Sequence, residues 1–145
     1  MQRLIVAIAA AALAATAAFA GPIEDRQAAM KTNGKDVGAL SAYAKGEKPF
    51  DAAEVQALLV ELDDNAQKID VAVLWPAGSE TGDTAASPKI WEDMAGFQAA
   101  MDKFKADAAA AVAAAPADVE ALKAQLGAIG SNCGSCHETF RLKKS

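Results

Sequence analysis

The chain has 145 residues and a formal charge of −5, a length that suits one domain behind a short leader. So acidic a chain would repel phosphate rather than release counterions from it, which argues against nucleic-acid binding. Abundant alanine, few aromatics and sparse β-branched residues argue against a sheet-rich fold and for helix almost throughout.

Residues 1–20 read MQRLIVAIAAAALAATAAFA: Arg3, an apolar run, then the small-x-small end Ala18-Phe19-Ala20. This is the pattern of a secretory signal peptide cut after Ala20. A membrane anchor fits less well, because the apolar run is short for a span. Cleavage leaves residues 21–145 as one exported domain, and the loss of Arg3 takes the charge from −5 to −6.

Four segments of that domain carry helical spacing. The first runs from Ile23 to about Ala44 through Met30, Val37 and Leu40, after Pro22 as a first-turn residue, and Gly46 and Pro49 interrupt it. The second starts near Asp51, a plausible N-cap, and repeats Val55, Leu58, Leu59, Leu62, Ala66, Ile69 and Val73. Residues 74–88, LWPAGSETGDTAASP, form a long loop of a kind that often covers something. The third helix opens at Ser87-Pro88 and continues through Met94, Phe97, Met101, Phe104, Ala108 and Val112, with Gly96 weakening its first turns. The fourth begins around Pro116-Ala117-Asp118 and repeats Val119, Leu122, Leu126, Ile129, Cys133, Cys136 and Phe140. One long and two short connections predict an all-α, antiparallel four-helix bundle with helices about 30–35 Å long.

Both cysteines and the single histidine lie in SNCGSCHETF, residues 131–140. A dithiol switch would sit at a helix start near a βαβ pattern, and neither is present. Zinc would need further ligands, yet the chain has no other Cys or His. A disulfide within one helical turn has poor geometry. Cys133-Gly134-Ser135-Cys136-His137 instead matches Cys-x-x-Cys-His, the attachment motif of c-type haem. Cys133 and Cys136 would form thioethers, and His137 would bind the iron of a single covalent haem c near the C-terminus. Export suits this, because bacteria attach c-type haem outside the cytoplasm.

A sole histidine excludes bis-histidine ligation. The candidates for the second axial position are the thioethers of Met30, Met94 and Met101, each of which is equally suited to core filling. In an antiparallel bundle the level of His137 meets the beginnings of the first and third helices. That favours Met30 and Met94, with Met30 slightly better placed and Met101 too deep. No constellation of catalytic acid, base or nucleophile is evident, so no enzyme is expected.

The chain resembles the class II c-type cytochromes, the cytochrome c' family, over essentially all of residues 21–145. The resemblance rests on DRQAAMK at 25–31, LWPAGS at 74–79, PKIW at 88–91 and CGSCHETFR at 133–141. It implies a four-helix bundle with haem near the C-terminus and Met30 on the distal side of the iron, as in low-spin members. High-spin, five-coordinate members carry an apolar residue there and bind nitric oxide or carbon monoxide. Arg26 matches an arginine near the haem edge, and Arg141 one beside the proximal histidine. Trp75 and Trp91 are expected to pack around the haem edge, and Lys89 to reach a propionate or simply to face solvent. Family members include monomers and dimers built through the first two helices, and the small residues there do not decide between them. The function expected is a periplasmic one-electron carrier, with gas binding by five-coordinate iron as the alternative. The acidic charge suits redox partners with basic docking patches.

Overall fold

Four aspartates decide where helices begin. Asp51 accepts from the amides of Ala53 and Glu54, Asp70 from those of Ala72 and Val73, Asp93 from that of Gly96, and Asp118 from that of Ala121. The computed structural model describes residues 21–143, so the signal peptide expected at 1–20 lies outside the described residues. The helices are α1 (Pro22–Ala44), α2 (Ala52–Gln67), α3 (Val71–Leu74), α4 (Lys89–Glu92), α5 (Met94–Ala114) and α6 (Val119–Phe140).

Two of these caps divide segments that the spacing predicts as continuous. The second segment, expected to run to Val73, stops at Gln67 and restarts at Val71 because Asp70 caps a new turn. The third, expected from Ser87-Pro88, is split at Asp93, whose φ of −136° and ψ of 59° leave the helical region. A Cβ at Gly96 would collide with the Asp93 carboxylate, so this cap requires the glycine that otherwise weakens the helix.

The long helices α1, α2, α5 and α6 form an antiparallel four-helix bundle. Each packs against the next, and α6 closes the ring against α1. The core holds Leu40 and Tyr43 of α1, Val55, Leu59 and Leu62 of α2, Phe97, Met101 and Phe104 of α5, and Leu122 and Ile129 of α6. The Tyr43 hydroxyl donates to the Glu54 carboxylate, which pushes the phenol up to about 12. Among the described residues no helix is long and apolar enough to cross a membrane.

Residues 75–88 are a strap between the bundle's halves. The Ser87 amide donates to the Phe140 carbonyl (3.0 Å) and the Leu142 amide to the Ala85 carbonyl (2.8 Å), with an antiparallel bridge between Ala86 and Arg141. The strap thus ends against the C-terminus of α6.

Two positions run against the fold's own preferences. Ala115 ends α5 with φ of 42° in the left-handed region, where its Cβ is strained. Ala115→Gly is expected to raise unfolding free energy by about 0.5–1 kcal/mol, measured by urea denaturation. Asp36 of α1 is fully buried, and neither carboxylate oxygen has a hydrogen-bond partner among the described residues. Burial raises its pKa, the nearby Glu61 adds to the rise, and Lys35 partly offsets it. The folded state therefore holds this proton more tightly than the unfolded chain, and stability falls as pH rises through the raised pKa. Asp36→Asn removes that loss. Its advantage over wild type, about 1–3 kcal/mol above the raised pKa, should vanish in acid when urea midpoints are compared across pH.

Candidate functional site

A cavity of about 620 Å³, within the range of small-molecule and cofactor sites, opens between α1, α5, α6 and the strap. Turns of α6 three and four residues apart bring Cys133, Cys136, His137 and Phe140 to one wall. The same periodicity on α1 brings Arg26, Met30, Asn33 and Val37 to another, and Met30 is half-buried there. Phe97, Ala100, Met101 and Phe104 of α5, with Ile90 of α4, complete the apolar lining.

Two sequence expectations about the third helix are corrected here. Met101, expected to lie too deep, is on the cavity wall and is nearly buried. Met94 is not on the wall and packs against the core instead. The cause is the break at Asp93. Met94 becomes the first residue of α5, and the preceding turn, α4, offers Ile90 to the cavity. Trp75 lines the cavity whereas Trp91 does not, and Lys89 pairs with Glu92 at 3.5 Å on the surface.

Arg26 is 3% exposed, and its guanidinium donates to four oxygens of one connection. Nη1 reaches the Leu74 carbonyl (3.1 Å) and Ser79 Oγ (2.9 Å), and Nη2 reaches the Ser79 carbonyl and Thr84 Oγ1 (both 2.8 Å). It also lies 5.8 Å and 5.7 Å from the ring centroids of Trp75 and Trp91. Burial lowers its pKa, with Glu24 and Glu80 acting the other way. Gln27 adds a hydrogen bond to the Asp83 carbonyl (2.6 Å). Arg141 is exposed at the cavity rim beside His137.

The polar groups on and behind the walls carry no sequence signature of a site. On the α6 side, Asn132 is buried and donates to Asp107 of α5 (2.6 Å), which Lys103 also holds. On the α1 side, Asn65 of α2 donates to the Ala29 carbonyl (2.9 Å) and to Asn33 Oδ1 (2.6 Å). A lone asparagine in a helix has many roles, and only the fold reveals these.

The donor set can be tested against a covalent haem. Cys133 and Cys136 are not joined in a disulfide, and burial raises the pKa of both thiols. The apolar surroundings and then the Arg141 cation lower the pKa of His137, which leaves a neutral imidazole with a lone pair to offer. Among the described residues no group of three or more His, Cys, Asp and Glu side chains could hold a metal ion unaided. The indole N–H of Trp75 is buried at the cavity without a hydrogen-bond partner among the described residues. The charged side chains on the wall are the cations Arg26, Lys31 and Arg141. An apolar planar group that carries carboxylates at its edge and requires two thiols and one imidazole fits this lining.

Comparison with known proteins agrees. The family profile described as cytochrome c' matches residues 21–141. Cytochrome c-556 of Agrobacterium fabrum is 44% identical over 125 residues, covering 86% of this chain and 84% of that protein. The solved cytochrome c' of Rhodopseudomonas palustris is 43% identical, with a TM-score of 0.79 over 88% of this chain and all of that one. A cytochrome c prime variant from Alcaligenes xylosoxidans, solved as a nitric oxide complex, is 32% identical, with a TM-score of 0.75 over 86% of this chain and 99% of that one. The chain thus belongs to the cytochrome c' family of c-type haem proteins.

Proposed function

We propose that this protein is a periplasmic one-electron carrier rather than an enzyme. In this reading Cys133 and Cys136 hold one haem c by thioether bonds, His137 supplies one axial iron ligand and Met30 the other. The observation that carries it is the half-buried thioether of Met30 on a cavity wall facing the helix of the Cys-x-x-Cys-His motif. Bound haem supplies a ferric/ferrous couple, and thioether ligation favours its reduced form.

The remaining work falls to this chain's own residues. Phe97, Met101, Phe104 and Phe140 keep water from the cavity, which limits solvent reorganisation when charge changes there. Arg26, Lys31, Arg141 and the Trp75 N–H would hold the two haem carboxylates. Helices α1 and α6 would present Met30 and His137 to the haem from opposite walls of the cavity. The acidic surface suits docking to redox proteins with basic patches, and a second copy of the chain is a further partner.

A second reading has its own support, and the comparisons lean towards it. The solved relatives compared above are cytochromes c', and one was obtained as a nitric oxide complex. If Met30 only packs over the haem, the iron is five-coordinate, and this protein binds nitric oxide or carbon monoxide.

Met30→Ala separates the two. For the carrier, the ferric protein is low-spin, and the variant becomes high-spin with a lower reduction potential. The variant also binds carbon monoxide at least about tenfold faster, because the competent state is no longer a minor one. A wild-type protein that is already high-spin and binds carbon monoxide as fast as the variant establishes the second reading.

A further inference from the structure

The half of α1 that carries Met30 is held in an unusual way. From Pro22 to Ala39 its buried side chains are Arg26, Asn33 and Asp36, and buried apolar anchors begin only at Leu40. Ala29, Met30 and Val37 are only partly buried against the core. A segment held by hydrogen bonds more than by apolar burial belongs to the less stable part of a fold and can shift without breaking the core.

Two sets of hydrogen bonds hold it. One is the grip of Arg26 and Gln27 on the strap, and both of those residues line the cavity. The other comes from behind. Asn65 of α2 is not on the cavity wall, yet its amide nitrogen donates to the Ala29 carbonyl at 2.9 Å and to Asn33 Oδ1 at 2.6 Å. The Ala29 carbonyl can only accept, so the orientation of the Asn65 amide is fixed by chemistry. One side chain thereby holds the turn one residue before Met30 and three residues after it.

We infer that Asn65 is a positioning residue for the Met30 thioether, a latch that sets how fully Met30 occupies the second axial position and so how readily small gases reach it. The inference rests on the proposed ligation by Met30. A neutral hydrogen bond is worth about a factor of ten in an equilibrium, so loss of this latch should populate the Met30-displaced state measurably without unfolding the bundle.

The test uses the holoprotein with Asn65→Ala, and with Asn65→Ser should the alanine variant fail to fold. Ferric spin state by electron paramagnetic resonance, carbon monoxide association with the ferrous protein, and thermal midpoint are measured together. A high-spin fraction should appear, and carbon monoxide association should rise about tenfold. In a Met30→Ala background the same change at Asn65 should add nothing. An unmoved spin state and association rate in a folded variant, even with a lowered midpoint, overturn the inference and leave the carrier reading intact. Equal acceleration with and without Met30 also overturns it, because Asn65 would then act by another route. If Met30→Ala alone changes neither spin state nor rate, the carrier reading falls and the latch falls with it.

Discussion

Arg26 brings a charge into the interior with no carboxylate of the described residues within ion-pair distance, and much of the architecture near the cavity answers to it. A buried guanidinium is tolerable only when its donors are met. Here backbone and hydroxyl oxygens of residues 74–84 meet them, so that connection must lie over α1. Once there, the strap continues to its bridge with Arg141 and fixes where α6 can end. One charged side chain near the start of the domain thus disciplines a loop about fifty residues away and, through it, the turn after His137.

That arrangement recasts the strap as part of the cavity wall. Thr84, Ala85 and Ala86 line the cavity; Arg26 of α1 holds the Thr84 hydroxyl, and the end of α6 holds the backbone of Ala85 and Ala86. The aromatic rings beneath it stack edge to face, Trp75 on Phe97 at 4.8 Å and Phe97 on Phe140 at 5.2 Å, which links strap, α5 and α6 into one rigid corner. Polar contacts hold this end of the bundle in place, and aliphatic burial holds the other.

The difference between the two ends explains what could be read from sequence. Helix α6 was legible because its inward stripe, from Leu122 through Ile129 to Phe140, is apolar and carries Cys133 and Cys136 with it. Met30 on the cavity wall was legible through the spacing of α1 and the family resemblance together. The inward stripe of α1, however, passes through Arg26, Asn33 and Asp36, which a hydropathy pattern assigns to solvent. The exchange of roles between Met94 and Met101 was hidden for a related reason. Asp70 and Asp93 compete with the helical backbone for amide donors, and whether such a residue caps or simply rides a helix is decided by tertiary packing.

The two walls that matter most are also the most distant in sequence. Packing of α1 on α2, α2 on α5 and α5 on α6 joins neighbours in the bundle's order, whereas the seam of α1 with α6 joins its first and last helices. Met30 and Cys133 are separated by about a hundred residues, so this seam carries the largest loop-closure entropy of the fold. The attachment residues Cys133, Cys136 and His137 all lie on α6, so a group held there would close the seam with α1 only while the Met30 thioether stayed bound to it. With Met30 bound as proposed, placement of the attachment motif in the last helix, opposite the first, would make the cofactor a clasp on the folded topology.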